Sequence, residues 1–262
     1  MFKNISKYSY LSFLPFLLIS FITIILLAQG IIPALYLIGT FVMWCLIAGL
    51  GVAVGFHRIF SHSTHPNLPR WKENIILFFG TLGGQGSSIT WSAIHRGYHH
   101  RFADTEKDPH SPVHGIYHAV FGWATKITEN NPGFNLKYAG PLLRKSNHLW
   151  FHTHQMTILW AVPLVVALFD WKMSLAVFCL PTGLCLLQDN IVNLVGHKKC
   201  LIGYRNFQTN DNSYNNFILG YLGWGQGWHN NHHAAPDEFD FGSNVSGKWW
   251  EVDPCKFFKP FL

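Results

Sequence analysis

Four apolar runs restrict what this chain can become. Tyr8 to Ala28 and, after a Gln29-Gly30 break, Ile31 to Val54 each match the roughly 20 residues that cross a bilayer as a helix. A third run from about Leu149 to Phe169 and a fourth from about Met173 to Val195 flank the short polar connection Asp170-Trp171-Lys172. Lys3 and Lys7 lend the first run the look of a signal peptide, but its apolar part is long and a second run follows at once. The runs predict an all-α membrane protein of four spans in two hairpins, 8–28 with 31–54 and 149–169 with 173–195. A fifth apolar piece, Asn74 to Leu82, is too short to span and is expected at the membrane interface or packed beneath the bundle.

Of the 262 residues, 49% are hydrophobic and 12% charged, about half the charged share of a soluble domain. An ordinary secreted or cytosolic enzyme is thereby excluded. Five cysteines without a CxxC pair offer neither a disulfide framework nor a zinc ribbon. No low-complexity tract, repeat or Pro/Gly/Ser-rich linker divides the chain, so residues 1–262 are expected to form one membrane domain. Of the 19 Lys and Arg, 18 fall on one side of the four spans and only Lys172 on the other. The positive-inside tendency then places both termini and the regions 55–148 and 196–262 in the cytoplasm, where the latter are expected to form a helical cap. With Asp170 and Asp189 set aside, eleven acids oppose the 18 bases and leave that face at +7. Such a face suits anionic headgroups, a phosphate-bearing thioester or an acidic redox protein, and nothing in it calls for nucleic acid. Topogenesis alone also accounts for the asymmetry.

Nine of the sixteen histidines are grouped: His57-Arg-Ile-Phe-Ser-His62, His95-Arg-Gly-Tyr-His99-His100, His197 closing the fourth span, and His229-Asn-Asn-His232-His233. All nine fall on the predicted cytoplasmic side, although the spans were placed by hydrophobicity alone. Residues three or four apart share a helix face, so His95 with His99, and His229 with His232 and His233, are expected to point the same way. His57 and His62, five apart, do not share an α-helical face and suit a helix end where the backbone turns. Asn193 lies four residues before His197, with Asp189 one further turn up; polar groups inside a span are costly and by default functional. A hydrogen bond to a neighbouring helix is the plain alternative for Asp189. Of the remaining histidines, His65, His114, His118, His148, His152 and His154 read as loop or interfacial residues, while His110 stands apart in Asp108-Pro109-His110. Nine imidazoles exceed the four ligands of a tetrahedral zinc but supply four or five each to two metals. Imidazole suits iron, zinc and copper, so ligand type alone does not choose among them.

The segments HRIFSH, HRGYHH and GWHNNHH, with Gly225-Gln226-Gly227 ahead of the last, resemble the three histidine boxes of the integral-membrane fatty acid desaturases. The likeness is greatest to the Δ9 acyl-CoA and acyl-lipid branch that includes stearoyl-CoA desaturase. ADTEKDPHS (Ala103 to Ser111) and KWWEVDP (Lys248 to Pro254) extend it, so that it covers about residues 31 to 254. Three departures stand out. HRGYHH has one residue more than the HRxHH of animal members, Gln226 replaces the Glu often found before the third box, and the chain ends soon after the tryptophan pair.

The resemblance implies that His57, His62, His95, His99, His100, His197, His229, His232 and His233 bind two Fe2+ ions. It also implies that Asn193 reaches one metal through water. The implied reaction uses O2 and external electrons to remove two hydrogens from an acyl chain held as acyl-CoA or acyl lipid, leaving a cis double bond, Δ9 in that branch. No amino-acid acid or base can attack an unactivated methylene, so a metal oxidant is required. Carbon position is expected to be set by distance along a narrow apolar channel lined by Phe, Trp and Leu of the spans. No haem-binding extension accompanies the desaturase-like region, so a separate carrier, ferredoxin or cytochrome b5, is expected to deliver electrons. A bacterial inner membrane is favoured over the endoplasmic reticulum. Two other readings compete: a di-iron acyl or alkyl hydroxylase, and a non-redox zinc-binding membrane transporter or receptor. The second would spread polar residues through the spans, whereas Asp189, Asn190 and Asn193 cluster at one end.

Overall fold

Each apolar run forms a helix in the computed structural model, which describes residues 5–123 and 136–262. Lys3, Lys126 and Glu129 of the charge count, and the stretch 124–135 of the predicted cytoplasmic region, lie outside the described residues. Helix α1 covers Ile5–Ala28 and α2 covers Tyr36–Ser61. Then come α3 (Arg70–Leu82), α4 (Ser88–Ile94), α5 (Ser146–Ala167), α6 (Trp171–His197) and the short α7 (His229–Ala234). Among the described residues, α2 and α6 are long and apolar enough to cross a membrane, and α1 adds the apolar stretch Ser12–Ala28.

Where helix ends depart from the apolar runs, a local cause is visible. Helix α2 starts at Tyr36 rather than Ile31 because a turn with Gly30 at φ +70° and Pro33 intervenes. It also runs past Val54 to Ser61, so the first histidine pair rides on the helix itself. Helix α6 begins at Trp171 because Asp170 caps it, accepting from the backbone N–H of Lys172 (2.9 Å) and Met173 (3.1 Å). The Tyr36 hydroxyl donates to the same carboxylate and ties the two hairpins. Helix α5 starts at Ser146, and its first half is polar: His148 Nδ1 meets the Ser88 hydroxyl at 2.8 Å and His152 Nδ1 meets Ser87 at 2.7 Å. These two histidines are therefore buried brackets on the start of α4, not loop or interfacial residues. Ser87 is also the N-cap of α4 and forms a reciprocal capping box with Thr90.

The core is made by close helix approach. Phe13 and Phe16 of α1 pack with Leu159, Cys179 and Leu186 of α5 and α6. The fifth apolar piece lies within α3, which packs along the second half of α2 through Val54, Phe56, Ile76 and Leu77, all fully buried. Each such side chain contributes roughly 1.5–3 kcal/mol when removed from water. At Gly51 a side chain would stand 2.3 Å from the Gly80 backbone nitrogen, so only glycine lets α2 and α3 touch there. Large apolar side chains stay exposed on the outer faces of α1, α2 and α5, among them Leu18, Phe21, Ile38, Phe41 and Leu164.

Residues 198–262 are not the helical cap expected. They form turns, short helices and one antiparallel pairing of Gly203–Tyr204 with Asn215–Asn216. This region is fastened to α2 by Arg58, whose side chain has no solvent exposure. Its guanidinium donates to Asp253 (2.8 Å), the Phe239 carbonyl (2.8 Å) and the Ala53 carbonyl (2.7 Å), and lies 3.9 Å from the Phe241 ring centroid. Asp253 also accepts from the backbone N–H of Phe241 and Cys255. Removing one member of a fully buried ion pair strands the other charge. Asp253→Ala is expected to cost about 3–5 kcal/mol, read as a lowered thermal unfolding midpoint of the detergent-solubilised protein.

Candidate metal centre

Two of the histidine pairs depend on an unusual helix geometry. Residues five apart on an α-helix point about 140° apart. Over Cys45–Ser61 and again over His95–His99, however, the backbone widens to hydrogen bonds spanning five residues. The His62 N–H reaches the His57 carbonyl at 3.2 Å, and the His100 N–H reaches that of His95. Wider turns stack residues five apart, so the rings of His57 and His62 are 5.2 Å apart and those of His95 and His100 are 4.5 Å apart. One α-helical expectation is reversed, since His57 does share a face with His62; the rings of His95 and His99 do stack, 5.4 Å apart, but His95 joins His100 in one histidine group and His99 belongs to the other.

The third box is held by its asparagines. The Asn230 carbonyl oxygen accepts from the backbone N–H of Asn206 (2.8 Å) and Phe207 (2.9 Å). Asn231 donates to the fully buried Glu251 at 2.7 Å, and the same carboxylate accepts from Tyr204 and Asn206. Asn215 accepts from the backbone N–H of both Asn230 and Asn231. So fixed, α7 sends His229 and His233 to one side and His232 to the other. Gly196, packed against the His229 ring, brings the end of α6 and His197 to the same place.

All nine histidines are brought together, in two groups. His57, His62, His95, His100 and His232 form one; His99, His197, His229 and His233 form the other; within each, the candidate ligand atoms lie within 4.8 Å of one another. In the first group, Nε2 atoms follow one another from His62 to His95 (3.0 Å), His100 (2.9 Å), His232 (2.9 Å) and His57 (3.0 Å). In the second, His99, His197, His229 and His233 are linked at 3.2, 2.8 and 3.1 Å. Each Nε2 has one proton or one lone pair and can take part in one hydrogen bond. Five such atoms in a row can make two bonds, not four. Hydrogen bonding among the rings cannot explain the convergence, whereas lone pairs directed at a shared cation can. The donor set therefore fits a metal in each group.

Four of the outward nitrogens face an oxygen, whereas His232 Nδ1 is buried with no hydrogen-bond partner among the described residues. His57 Nδ1 meets Gln226 Oε1 at 2.7 Å, His99 Nδ1 meets Asp108 at 2.9 Å, His233 Nδ1 meets Asp211 at 2.7 Å, and His197 Nδ1 lies 3.3 Å from Asp104. A carboxylate or amide oxygen on Nδ1–H leaves the Nε2 lone pair facing inward. Asp104, Asp211 and the Asn230–Glu251 network carried no signal in the sequence, since their partners are scattered through the chain. Asp108 was visible only through its neighbour His110, which lies beside His99 and Asp108. His65, His114, His118, His148, His152 and His154 belong to neither group.

A cleft reaches this centre, about 610 Å³ with the open solvent at its mouth included. His57, His95 and His229 stand in its wall beside Trp91, Ile94, Trp123 and Val192, with Gln85, Asp189, Asn190, Asn193 and Gln226 also lining it. The Phe, Trp and Leu of the spans expected here are not among its lining residues: Trp91, Ile94 and Trp123 come from between the second and third predicted spans, and the fourth contributes Val192 with Asp189, Asn190 and Asn193. Asn193 lies half-buried in this wall rather than within either histidine group.

Residues 13–242 match the family model described as Fatty acid desaturase. The chain belongs to the fatty acid desaturase family. It is 29% identical over 223 residues to the Delta-9 acyl-lipid desaturase 1 of Arabidopsis thaliana, covering 82% of this chain and 68% of that one. It is 30% identical to the sn-1 stearoyl-lipid 9-desaturase of Synechocystis, covering 81% of this chain and 64% of that one. To the chloroplastic palmitoyl-monogalactosyldiacylglycerol delta-7 desaturase of Arabidopsis thaliana it is 31% identical, with 81% and 56% covered. The chain thus spans between 56% and 68% of the length of these three relatives.

Burial of the imidazoles sets their proton affinities. Desolvation, reinforced by neighbouring imidazoles and arginines, pushes His62 down to about 3 and holds His95, His100, His229 and His232 well below their ordinary 6.5. Burial takes His233 down to about 4 even though Asp211 opposes the shift. His99 goes the other way: burial lowers it, but Asp108, Asp211 and Asp104 outweigh that and raise it. Those three carboxylates make the Nε2 side of His99 attractive to positive charge, which a metal cation supplies better than a second proton. The linkage has a definite sign. The unfolded chain takes up protons near 6.5, while the folded site resists until about 3–4, so stability present above 6.5 is lost as pH falls below it. Metal and fold should be lost together between pH 6.5 and 4, followed as the metal-to-protein ratio after gel filtration at each pH; full stoichiometry at pH 4 would contradict this.

Proposed function

We propose that this chain is an O2-dependent fatty acyl desaturase that places a cis double bond, at Δ9, in the acyl chain of an acyl lipid or acyl-CoA. The observation that carries the reading is the convergence of nine histidines in two groups on the wall of one cleft. The named relatives act on acyl lipids, which favours a lipid-linked substrate. His57, His62, His95, His100 and His232 would hold one iron, and His99, His197, His229 and His233 the other. Asn193, in the cleft wall, is placed to act through water. Two bound irons would supply the activation of O2 that no side chain can provide.

The reaction balances with one O2 per double bond. Two hydrogen atoms leave adjacent methylene carbons, two electrons and two protons enter from a carrier and solvent, and two waters leave. The chain's own part is positional. Carboxylates and Gln226 keep imidazole lone pairs inward, and Trp91, Ile94, Trp123 and Val192 offer an apolar wall along which methylenes lie beside His57, His95 and His229.

The apolar outer faces of α1, α2, α5 and α6 support a multi-pass arrangement in a lipid bilayer, four spans in two hairpins within one domain, 1–262. With the 18 bases on one side, both termini and the histidine-bearing regions face the cytoplasm, in a bacterial inner membrane. There the +7 face draws an acidic electron carrier, ferredoxin or cytochrome b5.

Expression in a desaturase-deficient host with fatty-acid profiling tests this. A new monounsaturated acid, with the double bond at carbon 9, is expected. A hydroxylated acid would identify the hydroxylase instead, and an unchanged profile from membrane-inserted, iron-loaded protein would refute the activity. Ala at His57, His95, His197 or His229 should abolish the new acid while protein remains in the membrane fraction; normal yield from any of them would exclude that residue as a ligand.

A further inference from the structure

Asp189 touches no histidine, yet it lies buried in the cleft wall at the head of a hydrogen-bonded series that ends on a ligand. Its Oδ1 accepts from Gln226 Nε2 at 2.7 Å, and its Oδ2 accepts from Gln85 Nε2. Gln188 Nε2 at 3.3 Å and Cys185 Sγ at 4.0 Å add further donors to the same two oxygens. All four of these neighbours donate to the carboxylate. Beyond the two glutamines, Gln226 Oε1 faces His57 Nδ1 at 2.7 Å and Gln85 Oε1 accepts from Trp91 Nε1 at 3.0 Å.

An amide can turn end for end, and its two ends do opposite things. A carboxylate can only accept. With Asp189 in place, Gln226 must turn its NH2 toward Asp189 and its oxygen toward His57. His57 must then carry its proton on Nδ1, and its Nε2 lone pair faces the first histidine group. We propose that Asp189 is a positioning residue that, through Gln226, fixes the metal-binding tautomer of His57. The inference rests on the dimetal reading above.

Gly225 adds a constraint on the same series. Its φ of +76°, and the lack of room for a Cβ, which would stand 2.0 Å from Asp253 Oδ1, let the chain turn just before Gln226 as only glycine can, and the backbone leaves the amide's orientation open. The choice between its two orientations therefore falls to Asp189.

Donor and acceptor counting gives a sharp test. In Asp189→Asn one acceptor must serve two amides; Gln85 cannot turn its NH2 to Trp91, whose N–H only donates, so Gln226 turns its NH2 to His57, which answers by moving its proton to Nε2. In the double variant Asp189→Asn with Gln226→Glu, the bonds that run from Gln85 through positions 189 and 226 to His57 are restored. The amide introduced at position 189 accepts from Gln85 and donates to the carboxylate introduced at position 226, which in turn accepts from His57. Purified wild type and variants would be titrated with Co2+ against a competing chelator, following the visible ligand-field bands.

Wild type is expected to hold two Co2+. The single variant should bind one of them about 10–100-fold more weakly, with altered bands, and the double variant should return to wild-type affinity and spectrum. An unchanged single variant overturns the proposal, as does a double variant that stays weak, which would mark Asp189 as a packing residue. If the single variant does not accumulate, the double variant decides alone by the same criterion. Wild-type protein that holds no Co2+ would remove the dimetal reading and this inference with it, whereas two ions held equally tightly in wild type and in the single variant remove this inference only.

Discussion

A buried imidazole can offer a lone pair inward only if its other nitrogen has somewhere to put a proton. Around four of the nine histidines the structure is arranged to meet that condition. Asp108, Asp211, Asp104 and Gln226 lie on the outward nitrogens of His99, His233, His197 and His57, and each is held by contacts that reach further out. Asp211, for example, also accepts from Thr209 and from the Ser213 N–H. Nine neutral rings so close together are costly to bury without a cation among them, and the surrounding acids offset part of the charge such cations bring.

That requirement explains the mixed texture of the molecule. The apolar half is built from Leu, Ile, Phe and small residues, with glycines where helices touch. The half that carries the histidines is tied by Asn and buried Glu or Asp, because only fixed polar contacts orient a ring to a few tenths of an ångström. Arg58 and Asp253 join the halves: the guanidinium follows directly on a histidine of α2, and the carboxylate follows the tryptophan pair.

Much of this was legible in the sequence. The apolar runs located α1, α2, α5 and α6 to within a few residues, and the three boxes with His197 named every histidine of the two groups that the fold brings together. Two things were not legible. The sharing of ligands between groups turned on wide helical turns at His57–His62 and His95–His100, which a 3.6-residue period cannot reveal. The outward partners are remote in sequence, as with His57 and Gln226, 169 residues apart, so no spacing rule points to them. His148 and His152 illustrate the reverse error, since polar residues at the start of an apolar run looked peripheral and proved to be helix-to-helix brackets.

The distance along the chain between Arg58 and its counter-charge bears on biogenesis. The two are 195 residues apart, and the nine ring positions run from 57 to 233. Once the second helix has been synthesised, its guanidinium lacks the Asp253 carboxylate until that residue has been added. The cup that receives metal is therefore assembled late in synthesis, and loading must wait until that stretch has left the ribosome. A nascent chain stalled before the tryptophan pair would expose an orphan cation beside an unbraced set of rings, a ready mark for membrane quality-control proteolysis.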